Sequence, residues 1–343
     1  MIYRSKAPVR LDLAGGWSDV PPFSSKEGGA VVNVAIARYT NAFLVPRKDD
    51  AVSITSADFG MTVRANSLRE LHYDGNLDLI KAALRRFPVA TGIDLRVSSE
   101  MPPGSGTGTS ASLGVALVGL LSWVGGRGFS PQEVAEEAHL LEVEEIHVPG
   151  GKQDQYASAL GGFNYLEFQD PQVRVQALRL DAGFVEALQR DLVLCYTGRS
   201  RVSGDIIQAV IDSFQRGEPA TVVALHNIKA VAERMRRALL SSDYQALAHL
   251  LSENWAEQMK LHASVTSPEI DALFARATRH GALGGKALGA GGGGCLLFLC
   301  QPGKAGVVRA ELASAGAQVL DFDFDTRGLQ VWSEPWSQPG RDT

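Results

Sequence analysis

The segment Pro102-Pro103-Gly104-Ser105-Gly106-Thr107-Gly108-Thr109-Ser110-Ala111-Ser112 restricts this chain more than any other. Three glycines alternate with small hydroxyl residues. Before them, Asp94 to Ser99 has the alternation of a strand; after them, Ala111 to Val124 reads as an apolar helix. Glycine lets main-chain N–H groups come close to an anion, and a helix start adds unpaired donors and the positive end of a dipole. A phosphate group suits that place. A tight turn capped by Ser or Thr would give a similar string, so the loop alone leaves both readings open. The candidate phosphate-binding residues are Pro103, Gly104, Ser105, Gly106, Thr107, Gly108, Thr109, Ser110 and Ser112. Their hydroxyls also suit magnesium, which keeps several waters and takes few protein ligands. It is not a Walker loop, because Gly151-Lys152, Gly285-Lys286 and Gly303-Lys304 are followed by Gln or Ala where Ser or Thr is required. The spacing and following acid of a dinucleotide-binding loop are missing too.

Around this loop the patterning predicts an α+β chain. Val9, Leu11 and Leu13 face one way and Arg10 and Asp12 the other; short runs at Ala30 to Ala37, Asn41 to Val45 and Ala51 to Thr55 read as further strands. Later, Leu192 to Tyr196 and Cys295 to Cys300 read as strands among helices near 204–216, 220–240, 243–260 and 268–280. A length of 343 residues, 45% of them hydrophobic and 21% charged, suits two folded domains, which we expect at 1–185 and 186–343. Ser333 to Thr343 reads as a polar tail.

A net charge of −5 offers no bulk attraction to a polyanion, so nucleic acid is not expected as a partner. Cys195, Cys295 and Cys300 lie in apolar runs without metal-ligand spacing, which predicts buried free thiols in a reducing compartment. No secretory signal pattern or membrane-spanning stretch is seen, and a cytoplasmic protein, monomer or homodimer, is the expectation.

Two further segments accompany the loop. One is Ala7-Pro8-Val9-Arg10-Leu11-Asp12-Leu13-Ala14-Gly15-Gly16-Trp17-Ser18-Asp19; the other is Gly284-Gly285-Lys286-Ala287-Leu288-Gly289-Ala290-Gly291-Gly292-Gly293-Gly294. With all three in this order, nearly the whole chain resembles the galactokinase, homoserine kinase, mevalonate kinase and phosphomevalonate kinase (GHMP) superfamily. The resemblance implies a two-lobed fold, with an N-terminal domain like ribosomal protein S5 domain 2 and a ferredoxin-like C-terminal domain. It also implies ATP and Mg²⁺ as cofactors and a small-molecule acceptor in the cleft between the lobes. Pro102, Gly106, Gly108, Ser110 and Ala111 match the family's second motif, while Thr107 and Thr109 stand where Leu and Ser are usual.

Gly150-Gly151-Lys152-Gln153-Asp154-Gln155-Tyr156 is similar to the loop that carries the catalytic aspartate in galactokinase-like members, which makes Asp154 the candidate base and Arg10 its partner. Ser130-Pro131-Gln132-Glu133 is a capping box that fixes a helix start. Counted from there at about 100° per residue, Glu142 and Glu145 fall within the apolar arc, where an acid needs a partner. The family's metal-binding glutamate maps to Glu142, with Glu145 in reserve, and its metal-binding serine to Ser110.

On the acceptor side the resemblance assigns Asp19, with Gly16, Trp17 and Ser18 lining the same turn; Lys152, Gln155, Arg201 and Gly292 are further candidates for acceptor binding. Within the superfamily the chain is similar to the heptose 7-phosphate kinase and fucokinase branch, which phosphorylates an anomeric hydroxyl. Gly-Lys-Gln-Asp-Gln suits the heptose kinases and Trp17 the fucokinases. The acceptor is therefore a sugar or sugar phosphate, foremost D-glycero-D-manno-heptose 7-phosphate, with L-fucose or another hexose as alternative. For a phosphorylated acceptor the available cations are Lys152, Arg199, Arg201 and Lys286. A non-catalytic ATP- and sugar-binding sensor on the same fold is a competing reading; a mevalonate-pathway enzyme is disfavoured by the form of the aspartate loop.

Overall fold

The computed structural model of the chain describes residues 1–200 and 204–335. Twelve strands are present there: β1 Ile2–Ala14, β2 Gly29–Pro46, β3 Val52–Ser56, β4 Met61–Ala65, β5 Ile93–Ser99, β6 Phe163–Gln169, β7 Gln172–Ala177, β8 Leu192–Tyr196, β9 Ala282–Ala287, β10 Cys295–Cys300, β11 Gln318–Leu320 and β12 Gln330–Glu334. They form an eight-stranded sheet, along the path β12-β1-β2-β5-β3-β4 with β6 and β7 beside β2, and a four-stranded sheet in the order β11-β8-β10-β9. The α+β expectation holds. The first sheet draws on residues 2–177 plus β12, so the chain's last described strand returns to pair with its first. Ser333 and Glu334, expected in a frayed tail, pair with Tyr3 and Ile2 in that ladder, while 336–343 lie outside the described residues.

The two runs at 30–37 and 41–45, expected as separate strands, belong to the single strand β2. Register against β1 slips between Pro8↔Tyr39 and Val9↔Ile36, leaving Ala37 and Arg38 without β1 partners. They bond to a later segment instead: Ala37 N–H donates to the Asp323 carbonyl at 2.7 Å and Arg38 Nε to that of Asp321 at 2.6 Å. Such a bulge bends a strand without ending it. β2 also serves two neighbours on its other edge, pairing with β6 through residues 29–34 and with β5 through 40–46.

The helix Thr109–Val124 packs in one core with the helices Asp78–Arg86 and Pro131–Leu140 against a face of the large sheet. Its burial from Val115 through Leu121 explains why the run is apolar on every side. Val9, Leu11 and Leu13 enter a second core with the helices Pro219–Leu240 and Tyr244–Met259, which tie the sheets together. Arg10 and Asp12 alternate with them on β1 and so face the opposite way, into the junction of the lobes.

Candidate active site

A cleft of about 550 Å³ runs along that junction. One wall holds Arg10, Asp12, Gly16, Trp17 and Asp19, the loop residues 104–106 and 108–111, Glu142 and residues 147–151 and 153–155; the other holds Ile207, Gln208 and the glycine-rich run 288–291.

The capped-turn alternative for the loop does not hold. The helix Thr109–Val124 has Gly108 at its N-cap, left-handed with φ 77°, and no side chain bonds the helix start. Its first-turn donors are thus left for an anion. Gly106 packs against the glycine-rich segment so closely that a Cβ there would lie 2.5 Å from the Leu288 carbonyl oxygen. Ser105 Oγ lies 2.6 Å from Thr107 Oγ1 and 3.1 Å from Thr109 Oγ1. Not every hydroxyl faces the cleft. Thr107 is fully buried, and Ser112 is held by Thr40 Oγ1 at 2.6 Å and the Thr109 carbonyl at 3.0 Å; both brace the loop from inside. Pro103 is exposed outside the cleft lining.

Arg10 joins loop and acid. Nε and Nη2 lie 2.8 Å and 2.6 Å from Asp154 Oδ1, and Nη1 donates to the Gly106 carbonyl at 2.6 Å. Asp12, which shares a strand face with Arg10, pairs elsewhere: its Oδ2 takes Lys286 Nζ at 2.6 Å. Burial pushes the Asp154 carboxyl above its ordinary range, and the Arg10 guanidinium draws it back. Ser110 Oγ donates to Glu142 Oε1 at 2.6 Å, and Gln155 Nε2 to Glu142 Oε2 at 2.7 Å. Burial pushes Glu142 up to about 7.

Glu145 is elsewhere. It accepts from Tyr73 Oη at 3.0 Å and pairs with Arg86, because the chain widens into a π-turn over Leu141–Glu145. A wider turn resets the helical phase, and π-bulges of this kind recur at functional sites.

Of the acceptor residues, Gly16, Trp17, Asp19 and Gln155 line the cleft. Trp17 has φ 88°, a conformation that bulky residues rarely hold. Asp19 Oδ2 accepts from the Gln153 N–H at 3.2 Å. Burial pushes Asp19 up to about 7, with the nearby Asp154 adding to the rise. Ser18 Oγ is buried and shared between Gly15 and Ala30, which makes it a brace of the turn. The Gly292 N–H is taken by the Val265 carbonyl at 2.6 Å, and Gly292 lies behind the cleft lining. Arg201 lies outside the described residues. The other cations proposed for an acceptor phosphate are paired: Lys152 with Glu136 at 2.8 Å, Arg199 with Glu269 at 3.1 Å, and Lys286 with Asp12.

Sequence reasoning missed Gln153 as the partner of Asp19, the Asp12 and Lys286 pair, and His147, a rim residue with φ 54°. One local signal was present. Gly15-Gly16 and Gly150-Gly151 each stand a few residues from a cleft acid, and a Cβ on Gly151 would lie 1.9 Å from Asp19 Oδ2.

Two family models match, GHMP kinases N terminal domain over residues 77–162 and GHMP kinases C terminal over 235–318. A D-glycero-alpha-D-manno-heptose 7-phosphate kinase of Campylobacter jejuni is 31% identical over 336 residues, which cover 96% of this chain and 98% of that protein. The chain belongs to the GHMP kinases. An L-fucokinase/L-fucose-1-P guanylyltransferase of Bacteroides fragilis is 27% identical across 95% of this chain, which spans 38% of that longer protein. Among solved structures, a D-glycero-D-manno-heptose 1-phosphate kinase from Bacteroides thetaiotaomicron superposes with a TM-score of 0.81 at 30% identity, covering 98% of this chain and all of that one. Lactococcus lactis galactokinase shares the fold, with a TM-score of 0.77 at 19% identity over 96% and 95% of the two chains. Both expected lobes of the GHMP fold are thus present, and ATP is the family's phosphate donor. Among the described residues no helix is long and apolar enough to cross a membrane.

Proposed function

We propose that this GHMP kinase transfers the γ-phosphate of ATP to the anomeric hydroxyl of a sugar, with D-glycero-D-manno-heptose 7-phosphate as the acceptor. The observation that carries the reading is Arg10, whose one guanidinium holds both Asp154 and the Gly106 carbonyl of the phosphate loop. Acid and loop are thereby fixed to one rigid strand. Asp154 takes the proton from the acceptor hydroxyl as its oxygen attacks the γ-phosphorus and ADP leaves, a contribution of roughly 10²–10⁴ in rate. Burial makes this carboxylate more basic than a surface aspartate. Arg10 balances its charge and that of the reacting phosphate.

No group of three or more His, Cys, Asp or Glu among the described residues is arranged to hold a metal alone. Magnesium brought in with a nucleotide takes only one or two protein oxygens, and Ser110, in the first turn of the helix, with Glu142 beside it would supply them. Bound there, the ion would neutralise phosphate charge.

Similarity to the Campylobacter heptose 7-phosphate kinase supports the acceptor. A neutral sugar such as L-fucose is the second reading, favoured by Trp17 in the cleft and by the pairing of Lys152 and Lys286 with acids of this chain. Coupled ADP release with heptose 7-phosphate, L-fucose, galactose and mannose, followed by NMR location of the new phosphate, tests both. Preference for heptose 7-phosphate with a C1 product supports the first reading; preference for fucose moves it to the second. ADP release no higher with any sugar than with ATP alone would sink the kinase reading in favour of a sensor.

A further inference from the structure

Asp12 has no role in the chemistry above, yet it sits on the cleft floor two residues from Arg10. It is 2% exposed, and Lys286, from β9 in the other sheet, is fully buried. Lys286 Nζ reaches Asp12 Oδ2 at 2.6 Å, while Asp12 Oδ1 is buried without any partner. A buried carboxylate oxygen left unpaired is costly and calls for a reason.

The neighbours supply one. Asp154 is matched by Arg10, and Asp19 is held by Gln153 alone. Asp12 adds a third carboxylate, and its charge raises both of the others. A pair serving only to join the lobes would need no third anion there; an apolar pair of similar volume does that work as well or better. Space is tight as well, since a Cβ on Gly16 would lie 2.2 Å from Asp12 Oδ2 and 2.8 Å from Gln153 Nε2. The glycine keeps side chains away from the acid. What the three carboxylates lack is hydrogen-bond donors, and a sugar carries several hydroxyls on one rigid ring.

We propose that Asp12 is an acceptor-binding residue: Oδ1 accepts a hydrogen bond from a sugar hydroxyl other than the one phosphorylated, while Lys286 fixes Oδ2 from the opposite lobe. The proposal rests on the sugar-kinase reading. The acceptor must then carry at least two hydroxyls spaced to meet Asp154 and Asp12 together, so a sugar deoxygenated at the second position is a poor substrate. Because Lys286 comes from β9 and Asp12 from β1, acceptor binding also senses how the lobes are seated.

The test uses the full-length enzyme with heptose 7-phosphate, L-fucose and a set of monodeoxy analogues of whichever is turned over. Two variants are compared: Asp12→Asn, which keeps an oxygen for Lys286, and Asp12→Asn with Lys286→Met, which leaves no buried ammonium short of a partner. The acceptor KM rises roughly 10- to 100-fold in both, as for loss of a hydrogen bond to a charged group, while the KM for ATP stays within about twofold of wild type by the same reasoning. One deoxy analogue that costs the wild type a similar factor costs the variants nothing further. An unchanged acceptor KM in the double variant, or deoxy penalties identical in wild type and variants, would overturn the assignment. A wild type silent on every sugar would overturn the kinase reading and this proposal with it.

Discussion

Replacing Asp19 by Asn should abolish most activity and yet stabilise the protein at alkaline pH. The side chain is 3% exposed and faces two other carboxylates. Its bonds are one from the Gln153 N–H to Oδ2 at 3.2 Å and one from the Gln153 side-chain amide to Oδ1 at 3.5 Å; the single oxygen of asparagine can keep the shorter and gives up the longer, which is at the limit of a hydrogen bond. Burial is the chief cause that pushes the carboxyl from 3.8 up to about 7. A folded value above the unfolded one means that the group's favourable contribution is complete below about pH 4 and is lost as pH rises through about 7. At about 1.4 kcal/mol per tenfold change in ionisation equilibrium, that loss approaches about 4 kcal/mol at pH 8 and is nearer 2 kcal/mol at pH 5. Neutral asparagine escapes it. Urea unfolding of wild type and Asp19→Asn at pH 5 and pH 8 should therefore show a gain that grows with pH by about 2 kcal/mol. A variant less stable than wild type at pH 8, or one with equal gains at both pH values, would refute the reasoning. The resemblance assigns Asp19 to the acceptor side, and an ionised carboxylate accepts hydrogen bonds from sugar hydroxyls more strongly than an amide does, a gain that would offset the cost.

Two further outcomes concern the phosphate side. If Glu142 binds magnesium as proposed, the ion would compete with a proton at a carboxyl that burial pushes up to about 7, so apparent magnesium affinity should fall about tenfold between pH 8 and pH 6; Glu142→Gln should weaken affinity and flatten that dependence, and a titration with the same slope in wild type and variant would exclude Glu142 as a ligand. Gly108→Ala places a side chain at φ 77° with its Cβ 2.9 Å from Asp154 Oδ2. It should lower kcat by about tenfold to a hundredfold through displacement of Asp154, the proposed base, and wild-type turnover would mean that Asp154 does not depend on that contact.

The parts of the site legible in the sequence are those whose physics is local. The loop's backbone could be read because alternating glycines before an apolar helix predict a left-handed turn into a helix start, and Gly104, Gly106 and Gly108 all have positive φ; Ser130 likewise forms the capping box that its spacing predicts, with Ser130 N–H donating to Glu133 at 2.7 Å. Helical counting narrowed the acids to Glu142 and Glu145 but could not separate them, since a single π-turn re-aims everything after Leu141. Lys152 looked available to a substrate phosphate because its partner, Glu136, lies on the preceding helix, a pairing that only the packing of two helices creates. Ser18, Thr107 and Ser112 show the same limit: a hydroxyl beside a binding loop can equally turn inward to hold the loop's shape.

One distant pairing bears on the proposed acceptor site. Asp12 and Lys286 are 274 residues apart, one in each sheet, and nothing in the composition of either segment announces the contact. Yet each stands just beside a run of glycines, Gly15-Gly16 after Asp12 and Gly284-Gly285 before Lys286. The two doublets do related work. Gly15 with φ 92° would put a Cβ 2.0 Å from the Ala30 carbonyl oxygen, and a Cβ on Gly284 would lie 1.9 Å from that of Ala248. Both therefore mark places where backbone must lie directly on backbone. Close approach of that kind seats the two segments that carry the acid and the lysine, and Gly16, whose Cβ would lie 2.2 Å from Asp12 Oδ2, keeps the space beside the pair free, so these glycines specify the seam between the lobes as much as a turn. With the acceptor site proposed above on that seam, fold and specificity would be set by the same few residues.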